Sequence, residues 1–424
     1  MPIARRTWSV VVAAGLASAA QAAVVPVSVV AKQGDALDGS TITGFSQPFV
    51  NGLGLVGFTA TLADSSRSVW YDSGSIFNSS SALPDVLSGS EANMGISNTG
   101  GFIYSPSFNG DDAVYTHDGL LLKDGDAAPG MPGFFNSFNS RPRMLDNGDA
   151  VWVGGFATTS TGSSIGRVLY RADPANPSGT TLIFKTGDSI GGFAIGTTGV
   201  GFDFDFSGNG IHHIHNLLLD TGSTTNDGHM WVNGSLIARE GSSTGQGDNW
   251  SGFKSSSINN SGNYIFAGDT DGPTATDDFI AYNGSIALRQ GSVVDGVTLA
   301  NAIDACAINN KNEAAFVWDT NLTETLFWAP DASNLAGALA LLSVGDLVDV
   351  DGDMVGDFTL VDFNASTVAS QGMDFGDNGY LYLSVDLRNE AGVDVEAIIS
   401  IYVPAPGSLG MVAALGLIRG RRRR

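Results

Sequence analysis

Nine residues in the C-terminal part of the chain carry its densest chemistry: Asp349-Val350-Asp351-Gly352-Asp353-Met354-Val355-Gly356-Asp357. Carboxylates alternate at Asp349, Asp351 and Asp353 and return at Asp357, with the backbone carbonyl of Val355 between them. These are the hard oxygen donors of which Ca²⁺ takes about six to eight, and Gly352 and Gly356 permit the tight turns that wrap them around one ion. Leu360 stands where a bidentate glutamate would complete the set. The metal expected at Asp349, Asp351, Asp353, Val355 and Asp357 is a structural Ca²⁺ pinning a long insertion. The other reading is an acidic loop on an acidic surface.

The aspartate spacing resembles the calcium loops of dockerin-like and EF-hand-like repeats. A second cluster, His212, His213 and His215, offers imidazoles. In a strand, His212 shares a face with Ile214, while His213 and His215 project to the opposite one. With Asp203 and Asp205 nearby they could hold a transition metal, or they are polar residues of a channel or surface, since no third ligand is fixed by spacing. The sequence contains no G-x-S-x-G elbow, H-E-x-x-H helix, Walker loop or dinucleotide fingerprint after a strand. Paired acids for glycoside hydrolysis are compatible with 43 carboxylates, but none is singled out.

The elements that must position these groups are short strands. Glycine is 56 of 424 residues and charged residues are only 15%, which favours tight turns over long charged helices. Seven of the 20 basic residues lie at the two ends, leaving 13 against 43 acidic residues over 23–403, a net of −30. Such a body repels nucleic acid and anionic membrane faces. Cys306 is the single cysteine, so an internal disulfide and a thiolate cluster are excluded, and the residue reads as a small buried apolar side chain.

A unit recurs seven times: a turn rich in Asn, Asp and Gly, then an alternating strand. Its copies begin at Asn51, Asn98, Asp146, Ser207, Asn259, Asn309 and Asp377, and align Phe58, Tyr104, Trp152, Ile214, Phe266, Phe316 and Leu383. Between them lie hairpins, best seen at Asn233-Gly234 and Asn283-Gly284, each leading into a Gly-Ser pair. The last unit lacks an outer strand, whereas Val25 to Asp35 supplies one before any complete unit. The fold expected is an all-β, seven-bladed β-propeller closed by the N-terminal strand; an open tandem array or a pair of β-sandwiches competes with it. The repeat, with Gly125 to Gly130 (GDAAPG), is also similar to bodies of uncharacterised sorted surface proteins.

The two ends read as addresses. Residues 1–22 have the order of a signal peptide: Arg5 and Arg6, an apolar run from Trp8 to Ala19, then Ala20-Gln21-Ala22 before a mature start at Ala23. At the other end, Val403-Pro404-Ala405-Pro406 precedes the apolar run Leu409 to Ile418 and the basic terminus Arg419 to Arg424. This order resembles the PEP-CTERM sorting signal, with Ala405 in place of the family's glutamate and an apolar stretch too short to span a bilayer, which needs about 20 residues. The resemblance implies a sorting helix over 404–424 in transient contact with the membrane. It also implies recognition by an exosortase-type protease, with Val403, Pro404, Pro406, Arg421, Arg422, Arg423 and Arg424 as signal residues. The alternative is a tail resting on the membrane surface.

The expected domains are therefore 1–22, 23–403 and 404–424. The expected role is that of an exported cell-surface or extracellular-matrix protein, structural or binding and not catalytic, whose partners are exopolysaccharide or other surface proteins. The alternative is a secreted propeller glycoside hydrolase or polysaccharide lyase, for which carboxylates would have to converge at one end of a central channel.

Overall fold

Two Asn-Gly pairs show how sequence sets the local geometry. Asn233 and Gly234 have φ of 51° and 80°, and Asn283 and Gly284 have 48° and 83°. Paired left-handed residues make the type I′ turn, whose twist matches that of the strands it joins. The computed structural model describes residues 24–79, 94–105, 107–108, 111–200, 203–365 and 372–403. Among them the chain is all-β, with two 3-10 segments, Pro177–Gly179 and Ala332–Gly337.

Strand pairing gives seven successive sheets of four or more strands, besides a two-stranded ribbon. In unit four, Asp203–Phe206, His213–Leu218, Gly228–Val232 and Ser235–Arg239 pair antiparallel in chain order. Unit three (Phe134–Met144, Ala150–Ala157, Gly166–Ala172, Thr181–Lys185) and unit five (Trp250–Ile258, Tyr264–Thr270, Phe279–Tyr282, Ser285–Arg289) repeat the order. Unit six follows with Val297–Ile308, Ala314–Thr320, Glu324–Ala329 and Leu339–Ser343. Unit one contains Ser40–Phe45, Val56–Leu62, Arg67–Tyr71 and Gly74–Asn78, and unit two Met94–Ile96, Phe102–Tyr104, Asp111–Thr116 and Gly119–Lys123. In unit seven, Phe358–Phe363 and Met373–Phe375 pair with Tyr380–Asn389, which pairs with Asp394–Tyr402. Its outer strand is Ser28–Lys32 from the start of the chain, with Ser28 opposite Ser400 and Lys32 opposite Ala397.

The seven aligned apolar residues all lie on the second strand of their units and are at most 5% exposed. Burying them joins neighbours face to face. Phe49 and Tyr104 share a core between units one and two, and Ile103 and Trp152 one between two and three. Val153 and Phe204, Ile214 and Phe266, and Ile265 and Phe316 do the same further along. Trp328 packs with Leu383 between units six and seven, and Phe58 with Ile398 between one and seven.

The recurring turns do more than reverse the chain. At the first turn position Asn51, Asn259 and Asn309 close their own turns, each Oδ1 accepting two backbone N–H groups. Their Nδ2 groups donate to the carbonyls of Ser97, Asn309 and Gly376 in the next unit. The second positions, Gly52, Asn98, Asp146, Gly208, Asn260, Asn310 and Asp377, form an annulus. Asn98 donates its backbone N–H and Nδ2 to Asp146 at 2.8 and 3.0 Å. Asp146 N–H donates to the Gly208 carbonyl at 2.7 Å, and Asn209 N–H to Asn260 Oδ1 at 2.9 Å. Asn260 N–H donates to Asn310 Oδ1, and Asn310 donates N–H and Nδ2 to Asp377, all at 2.7 Å.

Replacing Asp377 by Ala strands two donors of Asn310 and is expected to cost about 1–3 kcal/mol, whereas Asp377→Asn, which keeps one acceptor oxygen, costs less. Urea unfolding midpoints check this, and equal midpoints for wild type and Asp377→Ala would show that the annulus adds no stability.

Candidate functional site

The turns and first-strand ends of all seven units meet at one cavity of about 130 Å³. The turns bring Asn98, Asp146, Asn310 and Asp377 to it, and the strands bring Arg143, Asp205 and Asp374. Arg143 Nε donates to Asp205 Oδ1 at 2.6 Å, an ion pair between units three and four. Burial disfavours the charge on Arg143, but Asp205, Asp374 and Asp203 outweigh it and raise its pKa. Asp205 Oδ2 accepts the N–H of Ile258 in unit five at 3.0 Å, and Asp203 accepts from Ser256 Oγ at 2.9 Å. Asp374 accepts the N–H of Val50 in unit one at 2.9 Å. A glycosidase needs two carboxyls that reach the substrate, one to give a proton and one to attack or activate water. The carboxylates here accept hydrogen bonds from neighbouring units.

The aspartate loop comes together in part. Oxygens of Asp349, Asp351 and Asp353 lie within 4.8 Å of one another, a set that could hold a metal. Asp349, 1% exposed, also caps the loop, accepting N–H groups from Gly352 at 2.7 Å, Met354 at 2.8 Å and Asp351 at 3.2 Å. Its burial opposes ionisation, and these N–H groups together bring its pKa below the usual value. Asp357 stands outside the triad and accepts the N–H of Val350 at 2.8 Å, while Val355 donates its N–H to Asp353.

The histidines follow the expected alternation but do not meet the aspartates. His215 Nε2 and His213 Nδ1 share a hydrogen bond of 2.7 Å beside Phe184 and Phe206, on the side of unit three. Asp203 and Asp205 belong to the opposite face, because in the ladder Phe204 pairs with His215 while Asp205 pairs with Ile214. The strand's own pleat therefore separates the two sets, and the expected imidazole and carboxylate site is not formed. Burial lowers the pKa of both His215 and His213. Cys306 is fully buried, and burial pushes its thiol up to about 12.

Spacing gave no hint of a carboxylate array at the other end of the sheets, around the turn between the second and third strands of unit six. Asp304 sits at a register shift of its strand, within electrostatic reach of Asp319 and of Asp362 in unit seven, and Asp319 pairs with Glu324 across the turn. Burial first, then Asp319, Asp278 and Asp362 push Asp304 up to about 6, against the pull of Lys254. Burial and Asp304 push Glu324 up to about 8. Arg143 was missed as well; its signal is a basic residue three positions before a repeat turn in a strongly acidic body. Of the sorting residues, Val403 is buried and donates its N–H to the Gly379 carbonyl, whereas Pro404, Pro406 and Arg421 to Arg424, like the signal peptide, lie outside the described residues.

Because Glu324 and Asp304 hold protons more tightly folded than unfolded, the folded chain binds the excess, and stability falls as pH rises from about 4.5 toward 8. The thermal midpoint is expected to drop across that window, and Glu324→Gln to flatten the drop and raise the midpoint at the alkaline end. A variant with the wild-type pH slope would contradict this.

No curated protein matches the chain. Among solved structures it is similar to a prolyl endopeptidase at 11% identity and a TM-score of 0.44, over 86% of this chain and 51% of that one. It is similar to the WD40 β-propeller domain of Doa1 at 9% identity and a TM-score of 0.37, over 88% and 97%, and to the sialidase of Trypanosoma rangeli at 10% and 0.33, over 92% and 59%. The chain thus spans about half the length of the prolyl endopeptidase. Residues 119–333, half of the sequence, match the family of unknown function DUF7453, and the chain belongs to that family.

Proposed function

We propose that this is an exported cell-surface or extracellular-matrix protein with a binding and structural role and no catalysis of its own. Its body is read as a seven-bladed propeller closed by Ser28–Lys32. The observation that carries the non-catalytic reading is the engagement of the cavity's carboxylates: Asp205, Asp374, Asp146 and Asp377 accept hydrogen bonds that tie one unit to the next. A hydrolase or lyase would need such groups turned toward a substrate. The closure reading is supported by the pairing of Ser28–Lys32 with Asp394–Tyr402 and by the apolar core shared between units one and seven. Export, processing by an exosortase-type protease and exopolysaccharide or surface-protein partners rest on the sequence of the two ends and on the acidic body.

Calcium at the Asp349, Asp351 and Asp353 triad would pin the insertion that joins Leu347–Asp349 to Phe358–Phe363, the first strand of unit seven. Binding to the folded state alone adds about 2.7 kcal/mol at a hundredfold excess over Kd, so the melting temperature is expected to rise by several degrees with Ca²⁺. Asp351→Asn is expected to abolish the rise; calorimetry with no heat and no shift for wild type would remove calcium from this reading.

Fractionation of native cells with intact-mass measurement tests the surface role. A species starting at Ala23 and ending near Pro404 to Pro406, recovered from envelope or medium, is expected. A full-length chain in the cytoplasm would overturn the proposal.

A further inference from the structure

Lys254 is a base set in a row of acids. It lies on Trp250–Ile258, the first strand of unit five, and its Nζ donates at 2.5 Å to Oδ1 of Asp278, the residue that precedes the third strand. The two side chains are 24% and 14% exposed. The second strand runs between them, with Gly252 opposite Asp269 and Gly268 opposite Phe279, so Asp269 stands between the strand of Lys254 and Asp278. Asp269 Oδ1 is buried without a hydrogen-bond partner among the described residues. A Cβ on Gly252 would lie 2.5 Å from that oxygen, so glycine leaves the space the carboxyl occupies. Burial lifts the Asp269 carboxyl above its usual value, against the pull of Lys254 and with the push of Asp278 and Asp277.

A lysine beside a carboxylate is ordinarily an ion pair and nothing more. The neighbouring units show that this repeat does not call for a cation here. Their corresponding rows, Asp304, Asp319 and Glu324 in unit six and Asp362, Asp386 and Glu396 in unit seven, have an acid in all three places. In unit five the row instead combines an amine, a carboxyl group in contact with it, and a second carboxyl whose buried oxygen is free to move a proton. Those are the parts of an amide condensation. Holding reactants in fixed orientation supplies effective molarities of about 10⁵–10⁸ M, and partial burial keeps out the bulk water that would reverse the reaction.

We propose that Lys254 and Asp278 condense into an amide, with Asp269 carrying the proton, and that this link ties the first strand of unit five to its third. The Lys254 ammonium first gives a proton to the Asp278 carboxylate along their contact. Nζ then bonds to Asp278 Cγ, while Asp269 takes a proton from the nitrogen and gives one to a former carboxyl oxygen. The bond from Cγ to that oxygen breaks, water leaves, and Asp269 returns to its starting state. One cation and one anion vanish together, so the net charge of the row is unchanged. Cys306 is the single cysteine and excludes an internal disulfide; the amide closes a loop across 24 positions by other means. The link needs neither export nor a surface partner.

Peptide mapping of the purified, folded full chain tests it. Trypsin cuts an unlinked chain after Arg239, Lys254 and Arg289, giving peptides 240–254 and 255–289. An amidated Lys254 is no longer a trypsin site. A single peptide 240–289 is therefore expected, lighter than its sequence by one water, with tandem fragmentation joining Lys254 to Asp278. Lys254→Arg and Asp278→Ala are expected to yield two separate peptides. Asp269→Asn is expected to slow linkage about a hundredfold or more, followed in time as chain isolated in urea refolds, with circular dichroism confirming that the variant folds. Wild type alone decides the main point: separate peptides 240–254 and 255–289 from the folded chain overturn the proposal. Linkage as fast in Asp269→Asn as in wild type overturns the role given to Asp269.

Discussion

Asn310 gives both its backbone N–H and its side-chain amide to the carboxylate of Asp377, 67 residues away, and equivalent donations recur between most successive turns around the cavity. A sheet of four strands has two faces to bury and cannot bury them alone. Its neighbours must be held at a fixed stagger so that Phe316, Trp328 and their counterparts interleave. Apolar packing is nearly directionless and does not set that stagger, whereas short hydrogen bonds between backbone and carboxylate do. The annulus therefore fixes the relative placement on which the seven apolar cores depend. It acts where the first strands crowd together, so a small error there would grow toward the outer strands.

Charge shapes the annulus. In a body with a net charge of −30, a carboxylate at every second turn position would repel its neighbours at close range. Asp146 and Asp377 are the two acids in the annulus, and Asn or Gly occupies the other places. Asparagine supplies the same acceptor without the charge. The few basic residues are used just as locally: Arg143 couples units three and four, and Arg171 binds Asp149 while donating to the Gly210 carbonyl of unit four. At the opposite end of the sheets, Asp304, Asp319, Glu324 and Asp362 gather with Lys254 as a counter-charge, and the upward pKa shifts of Asp304 and Glu324 follow.

Much of this was legible in the residues. The aligned apolar positions mark the second strand of each unit because burial against a neighbouring sheet demands a large side chain there, and the Asn-Gly pairs mark hairpins because two consecutive left-handed residues leave little choice. The partner of the last unit was legible because its outer strand was missing while a spare one lay at Val25 to Asp35. The role of the turn residues was not. Asn, Asp and Gly favour turns anywhere, and nothing in a single turn reveals that its amide reaches the next one. The separation of His213 and His215 from Asp205 was hidden for a related reason. Alternation gives each strand's faces, but which residue stands opposite which depends on a register set by the turn between them. Asp349 to Asp357 was legible as oxygen donors, but not that several of those oxygens would be drawn back onto the loop's own N–H groups.

The annulus has five side chains and two glycines, and the glycines are not equivalent. At Gly208 the backbone takes over: its carbonyl accepts from Asp146, and the adjacent Asn209 N–H donates to Asn260. At Gly52 the facing atoms are acceptors from both sides, Asn98 Oδ1 and Asp377 Oδ2, so the chain of donations carries a gap there. Leu53 and Leu55, where another unit could supply a donor to its neighbour, give their N–H groups to Asn51 instead. A repeat that satisfied every turn alike would fill its own centre with hydrogen bonds and leave no group to recognise anything else.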